Sequence, residues 1–543
     1  MSSFETILDR LADYAKRFPD KIAFCFYTDA LKQQESETYA SFYQKVQQLA
    51  GYLHRHFKPK ERVVLLYPPG LEMITCLYAA LYAGLVPTLA YPPANQKLAE
   101  KLGHVMTDAK PTGILTSKDI AKKLKLIQRA HWLKAKVPFQ PMRDYFFSRV
   151  DELGPVDFSG LAIIATDKSQ SSKPLPQHLV QGEHDLAFLQ YSSGSTGHPK
   201  GVMITHGNLM SNLACIQKAY GVREELTCVS WLPPYHDMGL IGFIFENIYS
   251  GATSALFSPI EFLKSPLLWL ELIRRYPKVI TAAPNFAYEY CVTKISEEKL
   301  VGLDLSSWQI AINGAEPVHA ETLAAFTEKF SPYGFRPEVF YPSYGMAEVV
   351  LLVSAISYGR EQELQVDAKA LRRHEIVFSS TKPTKRLVSL GKPALPLQIV
   401  DPEKHQICAA GQVGEIWIDH RFAAKGYWHQ PSLNHSQFEA KLKGEAKTRY
   451  LRTGDLGVLY EGQLYIVGRL KELLILHGEN FYPQDIERTV FEADKRIRAH
   501  GVSAFAITHQ HEEALIIVAE VPAKLADEEY VSILMAIEHA VHH

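Results

Sequence analysis

From Arg62 onward, short apolar runs alternate with segments whose apolar residues recur at helical spacing. RVVLLY, VPTLAY, DLAFLQY, KVITAA, WQIAING and PEVFYPSYG read as buried strands. Strands that alternate with helices in this way predict an α/β fold whose largely parallel sheets are covered on both faces. Residues 71–91, LEMITCLYAALYAGLVPTLAY, are nearly all apolar and about long enough to cross a bilayer, but Glu72, Gly84 and Pro87 interrupt them. With RVVLLY and a PPG turn ahead of them, they read as the turn, helix and second strand of a βαβ unit in a soluble core.

From about Lys385 the texture shifts to shorter strands with turn signals, LVSLGKP, LQIVD, GEIWIDH and GQLYIVGRL, which predicts a β-rich subdomain over about 385–468. After Gly468, RLKELLILHGENFYPQDIE leads into a helix and the strands VSAFAITH and ALIIVAEV. The expected organisation is a large domain, 1–468, of two α/β subdomains plus the β-rich one. A small mobile α+β domain, 469–543, follows across a junction at 469–471. EEYVSILMAIEHAVHH carries a helical pattern to the last residue with no cap or closing strand, so this last domain is expected to be truncated.

With 47% hydrophobic residues in 543, the chain can bury more than one core. A formal net charge of -1 provides no whole-chain basic field to gather nucleic acid, so no nucleic-acid partner is expected. The six cysteines lie far apart, with no CxxC pair and no histidine at zinc-ligand spacing, which argues against zinc and disulfides alike. The N-terminus has no apolar h-region and is not read as a secretory signal; a cytoplasmic location and no membrane span are expected.

Residues 191–202, YSSGSTGHPKGV, concentrate chemistry between two strand patterns. Hydroxyls at Ser192, Ser193, Ser195 and Thr196, with the glycines between them, make a loop whose N–H and O–H donors can wrap a polyphosphate, and Lys200 supplies a point charge. It is not a Walker A loop, because Gly201 follows Lys200 and the loop leads into a strand instead of a helix. The following segment, GNLMSNLACIQKAYG, repeats Leu209, Leu213 and Ile216 on one helical face, with Thr205 or His206 as its cap.

An ordered set of motifs follows the loop: LPPYHDMGL (232–240), NGAEP (313–317), YPSYGMAE (341–348), YLRTGDLG (450–457) and GRLKELLILHGENFYPQDIE (468–487). Together they resemble the adenylate-forming superfamily of acyl-CoA synthetases, luciferases and nonribosomal peptide synthetase adenylation domains. YHDMGLIG, TAAPNFAYE (281–289) and the charged segment of about 354–390 after GMAE most resemble its fatty-acyl-AMP ligase branch. The resemblance implies activation of a fatty acid by ATP with Mg²⁺, and transfer of the acyl group to the phosphopantetheine thiol of an acyl carrier protein. In that branch the 354–390 insertion is thought to restrain the C-terminal domain and disfavour coenzyme A.

The resemblance also implies residue roles. Lys200, Ser192, Ser195 and Thr196 would hold the β- and γ-phosphates, with Glu348 and Thr196 at Mg²⁺. Tyr344 would stack on adenine, with Gly314, Ala315 and Glu316 against its other face and edge, and Ser343, Gly345 and Met346 complete the nucleotide-binding set. Asp455 would accept hydrogen bonds from both ribose hydroxyls, Arg469 would approach the ribose or α-phosphate, and Lys471 would sit at the interdomain hinge. His236 would orient the substrate carboxylate. MGLIGFIFENIYSG, with space at Gly239 and Gly242, would line the acyl chain, while Asp237 keeps an amino-acid substrate in play. The superfamily's PxTxSGK-like lysine motif has no counterpart before His543. The competing readings are an acyl-CoA synthetase, a non-catalytic adenylate-binding scaffold and, with no feature promoting it, a light-emitting oxygenase.

Overall fold

The computed structural model describes residues 4–93, 96–136, 156, 158–167, 172–180, 182–192, 199–357, 363–381, 383–445, 447–476, 479–498, 501–509 and 512–542. It divides into two compact units. The first takes in 1–361, 391–395 and 419–440; the second takes in 362–390, 396–418 and 441–543.

The first unit is α/β, as expected. Its eight-stranded sheet runs, edge to edge, Leu352–Ala355, Phe340–Gly345, Trp308–Asn313, Val279–Ala283, Thr227–Ser230, Thr253–Phe257, Ile22–Thr28 and Gln33–Thr38. The inner pairings are parallel, and an antiparallel strand closes each edge. Trp269, Tyr288, Trp308, Phe326 and Phe340 pack beside this sheet as edge-on and tilted rings.

A second, four-stranded parallel sheet has the order Val86–Ala90, Arg62–Leu66, Gly113–Thr116 and Ala162–Ala165. The apolar stretch that invited comparison with a membrane span lies here as the helix Leu71–Tyr82 and the strand Val86–Ala90, the latter paired with Arg62–Leu66. No helix among the described residues is long and apolar enough to cross a membrane.

Leu186–Ser192 and Lys200–Thr205 form an antiparallel hairpin that brackets the glycine loop, and the helix His206–Tyr220 follows without a break. Thr205 caps that helix reciprocally with Asn208: the Asn208 N–H donates to the threonine hydroxyl at 3.1 Å, and the Thr205 N–H donates to the Asn208 side-chain Oδ1 at 3.2 Å. Gly221, in the left-handed region, ends the helix.

His206, 2% exposed, opens the helix. Burial pushes its imidazole down to about 4, against the opposing pull of the Asp185 charge. The unfolded chain therefore binds a proton between the ordinary value of 6.5 and about 4 that the folded chain does not, and stability falls as pH falls through that window. His206→Gln is expected to remove on the order of 3 kcal/mol of that acid-side loss. Urea midpoints at pH 7, 5.5 and 4 test this; parallel wild-type and variant curves would show that His206 does not carry it.

The second unit is built on a five-stranded sheet in the order Gln406–Ile407, Leu397–Asp401, Gly414–Asp419, Tyr450–Tyr460 and Gln463–Arg469. Among the described residues, two-stranded antiparallel sheets, Leu364–Asp367 with Thr384–Leu387, Leu474–Leu476 with Glu479–Phe481 and Val502–His509 with Glu512–Ala519, belong to it along with the helices Pro483–Ala493 and Asp527–His542.

Candidate active site

The first unit brings Lys200 and Glu348 to one aromatic ring. Lys200 opens the strand after the glycine loop, and its Nζ lies 5.1 Å from the centre of the Tyr427 ring. The Tyr427 hydroxyl donates to Glu348 Oε1 at 2.6 Å. Burial, and then the negative charge of Glu348, push the Tyr427 phenol well above its ordinary value, so it remains a donor. The tip of the glycine loop, with Ser195 and Thr196, lies outside the described residues, and Ser192 ends the strand before it.

Tyr427 was not singled out from the sequence. It belongs to the strap 424–428, which lies against Lys200–Thr205. The Met203 N–H donates to the Gly426 carbonyl at 2.8 Å, the Lys425 N–H to Met203 at 3.0 Å and the Trp428 N–H to Gly201 at 2.7 Å. The same strap reaches the GMAE turn, where the Ala424 N–H donates to the Glu348 carbonyl at 2.7 Å. The only local hint was an aromatic pair after glycine in AAKGYWHQP.

The turn that carries Glu348 is tightly determined. Glu348 lies in a 3-10 turn, Ala347–Val349, and Val350 behind it takes φ 79° and ψ -59°, a γ-turn geometry that strains a β-branched residue. The Met346 N–H donates to the Leu351 carbonyl at 2.8 Å, closing the loop. Asn212, from the helix after the hairpin, clamps the next residue by donating to the Leu352 carbonyl at 3.0 Å and accepting from its N–H at 2.9 Å.

Other residues of the expected nucleotide set border this turn. Ser343 is buried, accepts from the Tyr220 hydroxyl at 2.9 Å and donates to the Tyr341 carbonyl at 2.9 Å. Tyr344 is 8% exposed, with its hydroxyl 3.8 Å from the Met346 sulfur. At the end of the neighbouring strand Gly314 is buried, while Ala315, at φ 67°, and Glu316 are exposed. The Glu316 carboxylate accepts from the Phe286 N–H at 2.5 Å, at the start of the helix Asn285–Lys294, where an acid is favoured.

His236 caps the short helix Asp237–Leu240, half exposed, with Nδ1 2.7 Å from Asp237 Oδ1. Burial acts to lower its pKa, but the Asp237 hydrogen bond and charge outweigh it and raise it. The Asp237 carboxylate also accepts from the Met238 N–H at 2.7 Å, so it is engaged within the chain, which weakens the amino-acid reading. A π-helical turn, Ile241–Phe245, continues the helix.

The expected groove at two glycines needs correction at one of them. A Cβ on Gly239 would stand 2.3 Å from the Pro233 carbonyl oxygen, so this glycine admits backbone and opens no space. At Gly242 the nearest atom is Leu351 Cδ2 at 3.9 Å, and space does remain there.

In the second unit, Asp455, buried, stands opposite Arg469 on the hairpin of Tyr450–Tyr460 and Gln463–Arg469. Arg469 Nε lies 3.0 Å from Asp455 Oδ1, a partly buried ion pair. Lys471 is exposed in the turn that follows. The 354–390 segment enters this unit from residue 362. Leu364, Val366, Leu371 and Leu387 share one core with Leu456, Val458, Val467 and Tyr482. Arg372 sits over the Phe481 ring at 4.2 Å, and Lys385 pairs with Asp485 at 2.6 Å.

The AMP-binding enzyme family matches residues 11–428. A medium-chain-fatty-acid–[acyl-carrier-protein] ligase, JamA, from Moorena producens is 36% identical over 529 residues, 95% of this chain and 86% of that protein. A crystal structure of a fatty acid AMP ligase from Legionella pneumophila superposes with a TM-score of 0.77 at 38% identity, covering 99% of this chain and 89% of that one. A fatty acyl-adenylate ligase from L. pneumophila, in complex with acyl adenylate and pyrophosphate, matches at 37% identity and TM-score 0.77, over 99% and 90%. This chain belongs to the AMP-binding enzyme family, within the adenylate-forming superfamily.

Proposed function

We propose that this protein is a fatty-acyl-AMP ligase: it joins a fatty acid to the AMP part of ATP, releases pyrophosphate, and passes the acyl group to the phosphopantetheine thiol of an acyl carrier protein. The observation that carries the reading is the meeting of Lys200 and Glu348 at the Tyr427 ring, beside a hairpin whose loop is rich in hydroxyls and glycine. The relatives support the substrate class, since the name of the Moorena protein specifies a medium-chain fatty acid and a carrier protein, and an L. pneumophila ligase holds acyl adenylate and pyrophosphate.

In the reaction a carboxylate oxygen attacks the α-phosphorus of ATP as the bond to the pyrophosphate oxygen breaks, so the chain has to position two anions and offset their charge. Lys200, with Ser192, Ser195 and Thr196, takes the β- and γ-phosphates. Among the described residues no group of three or more His, Cys, Asp or Glu side chains forms a protein cage. A single hard carboxylate, Glu348, beside the phosphate loop suits Mg²⁺, which is held by one or two carboxylates plus substrate phosphates. Glu348 and Thr196 would hold Mg²⁺ there, and the ion would offset phosphate charge.

Tyr344, Ser343, Gly345 and Met346, with Gly314, Ala315 and Glu316, frame adenine. Asp455 takes the ribose hydroxyls and Arg469 the ribose or α-phosphate, each already oriented by their ion pair. His236, held by Asp237, orients the fatty carboxylate, and the wall near Gly242 takes the chain. Residues 469–471 serve as the junction where a C-terminal domain turns between half-reactions. The core shared by 364–387 with Tyr482 supports a tether that holds the segment after the junction and disfavours coenzyme A.

Incubation with ATP, Mg²⁺ and fatty acids of graded length, with and without coenzyme A, is expected to give acyl-AMP by mass spectrometry and little acyl-CoA. Efficient acyl-CoA formation would make the protein an acyl-CoA synthetase instead.

A further inference from the structure

We propose that Tyr427 is a positioning residue for adenylation: its hydroxyl sets the Glu348 carboxylate for the metal while its ring parks the Lys200 ammonium. The proposal rests on the reading of Lys200 and Glu348 as the phosphate and metal groups.

The tyrosine is unusually well held for a residue on a strap. Asn434 grips both sides of its backbone, accepting from the Tyr427 N–H at 2.7 Å and donating to the Tyr427 carbonyl at 2.8 Å. Phe438 packs edge-on against its ring at 5.1 Å and 87°. Both residues come from the helix Pro431–Phe438, so that helix fixes the ring from behind. Val202 faces Tyr427 across an isolated antiparallel bridge, which ties the ring to the strand that begins at Lys200. With a relative exposure of 4%, the side chain has little freedom to reorient.

What Tyr427 holds is mobile by nature. Lysine carries four rotatable bonds and glutamate three, and ordering each costs rotamer entropy. A rigid aromatic side chain that touches both orders each in advance: the carboxylate by a charge-assisted hydrogen bond, the ammonium by the ring face. Partners that orient a metal's ligand in this way typically matter by about 10- to 100-fold in metal affinity or activity.

Tyr427→Phe keeps the ring, its Phe438 contact and the lysine seat, and removes only the hydroxyl. ATP binding to the full chain, followed by calorimetry across a Mg²⁺ titration without fatty acid, is expected to need about 10-fold more Mg²⁺ for the variant. The unfolding midpoint and the KM for fatty acid should stay near wild type, a split that a merely structural role does not produce. In a Glu348→Gln background, Tyr427→Phe should cause no further shift in the Mg²⁺ requirement, because the hydroxyl acts through that carboxylate. Tyr427→Leu, which also removes the lysine seat, should weaken ATP binding even at saturating Mg²⁺. A wild-type Mg²⁺ requirement with an unchanged Tyr427→Phe curve, or full additivity with Glu348→Gln, overturns the role of Tyr427 alone. Wild-type ATP binding that ignores Mg²⁺ overturns the metal-site reading and this inference together.

Discussion

Lys200→Met is expected to lower acyl-adenylate formation by about 10²- to 10³-fold, the scale on which removing one preorganised electrostatic partner of a charged transition state acts. Methionine keeps much of the aliphatic stem and removes the charge. The strand that Lys200 opens is anchored independently, by its pairing with Leu186–Ser192 and by the strap 424–428, so the fold should tolerate the change. Single-turnover pyrophosphate release, with the unfolding midpoint as a control, is the measurement. A rate loss below tenfold with an intact fold would mean that the ammonium does not meet the phosphates during the reaction.

Gly345→Ala is expected to damage stability and activity together, because it strikes the turn that presents Glu348. A Cβ at this position would stand 1.9 Å from the Leu351 carbonyl oxygen, which is backbone and already accepts from the Met346 N–H. The neighbouring backbone cannot easily yield: Val350 holds a strained φ of 79°, and Asn212 clamps Leu352. A loss of about 3 kcal/mol, at the upper end for overpacking, is expected from denaturant unfolding, with acyl-AMP formation falling further than the population of folded protein. Gly242→Ala makes the contrast, since its Cβ meets only a leucine methyl at 3.9 Å and should leave stability nearly unchanged. If the two variants unfold alike, the close approach at Gly345 is not rigid.

Much of the fold was legible because its signals are local. Apolar runs in KVITAA, WQIAING and DLAFLQY became strands, and the Leu209, Leu213 and Ile216 spacing became a helix with Thr205 as its cap. These patterns report which face of a segment is buried and how its first turn is satisfied, and neighbours in the chain settle both. Gly239 and Gly242 look alike in sequence, yet one admits the Pro233 backbone and the other has room for a Cβ beside a leucine methyl. A missing side chain does not say what approaches it.

The sequence by itself determined the family, the strand and helix alternation, the two strands that flank the glycine loop, and the residue types with the chemistry to meet phosphate, metal and nucleotide. Only the tertiary structure decided that Tyr427 reaches Glu348 across 79 positions, that Asp455 and Arg469 stand opposite each other in the register of one hairpin, and that 364–387 shares a core with Tyr482. The reason is physical: periodicity and capping are set within one or two turns of chain. A hydrogen bond or a shared core between distant segments depends on packing that brings them together, and no local pattern records the partner.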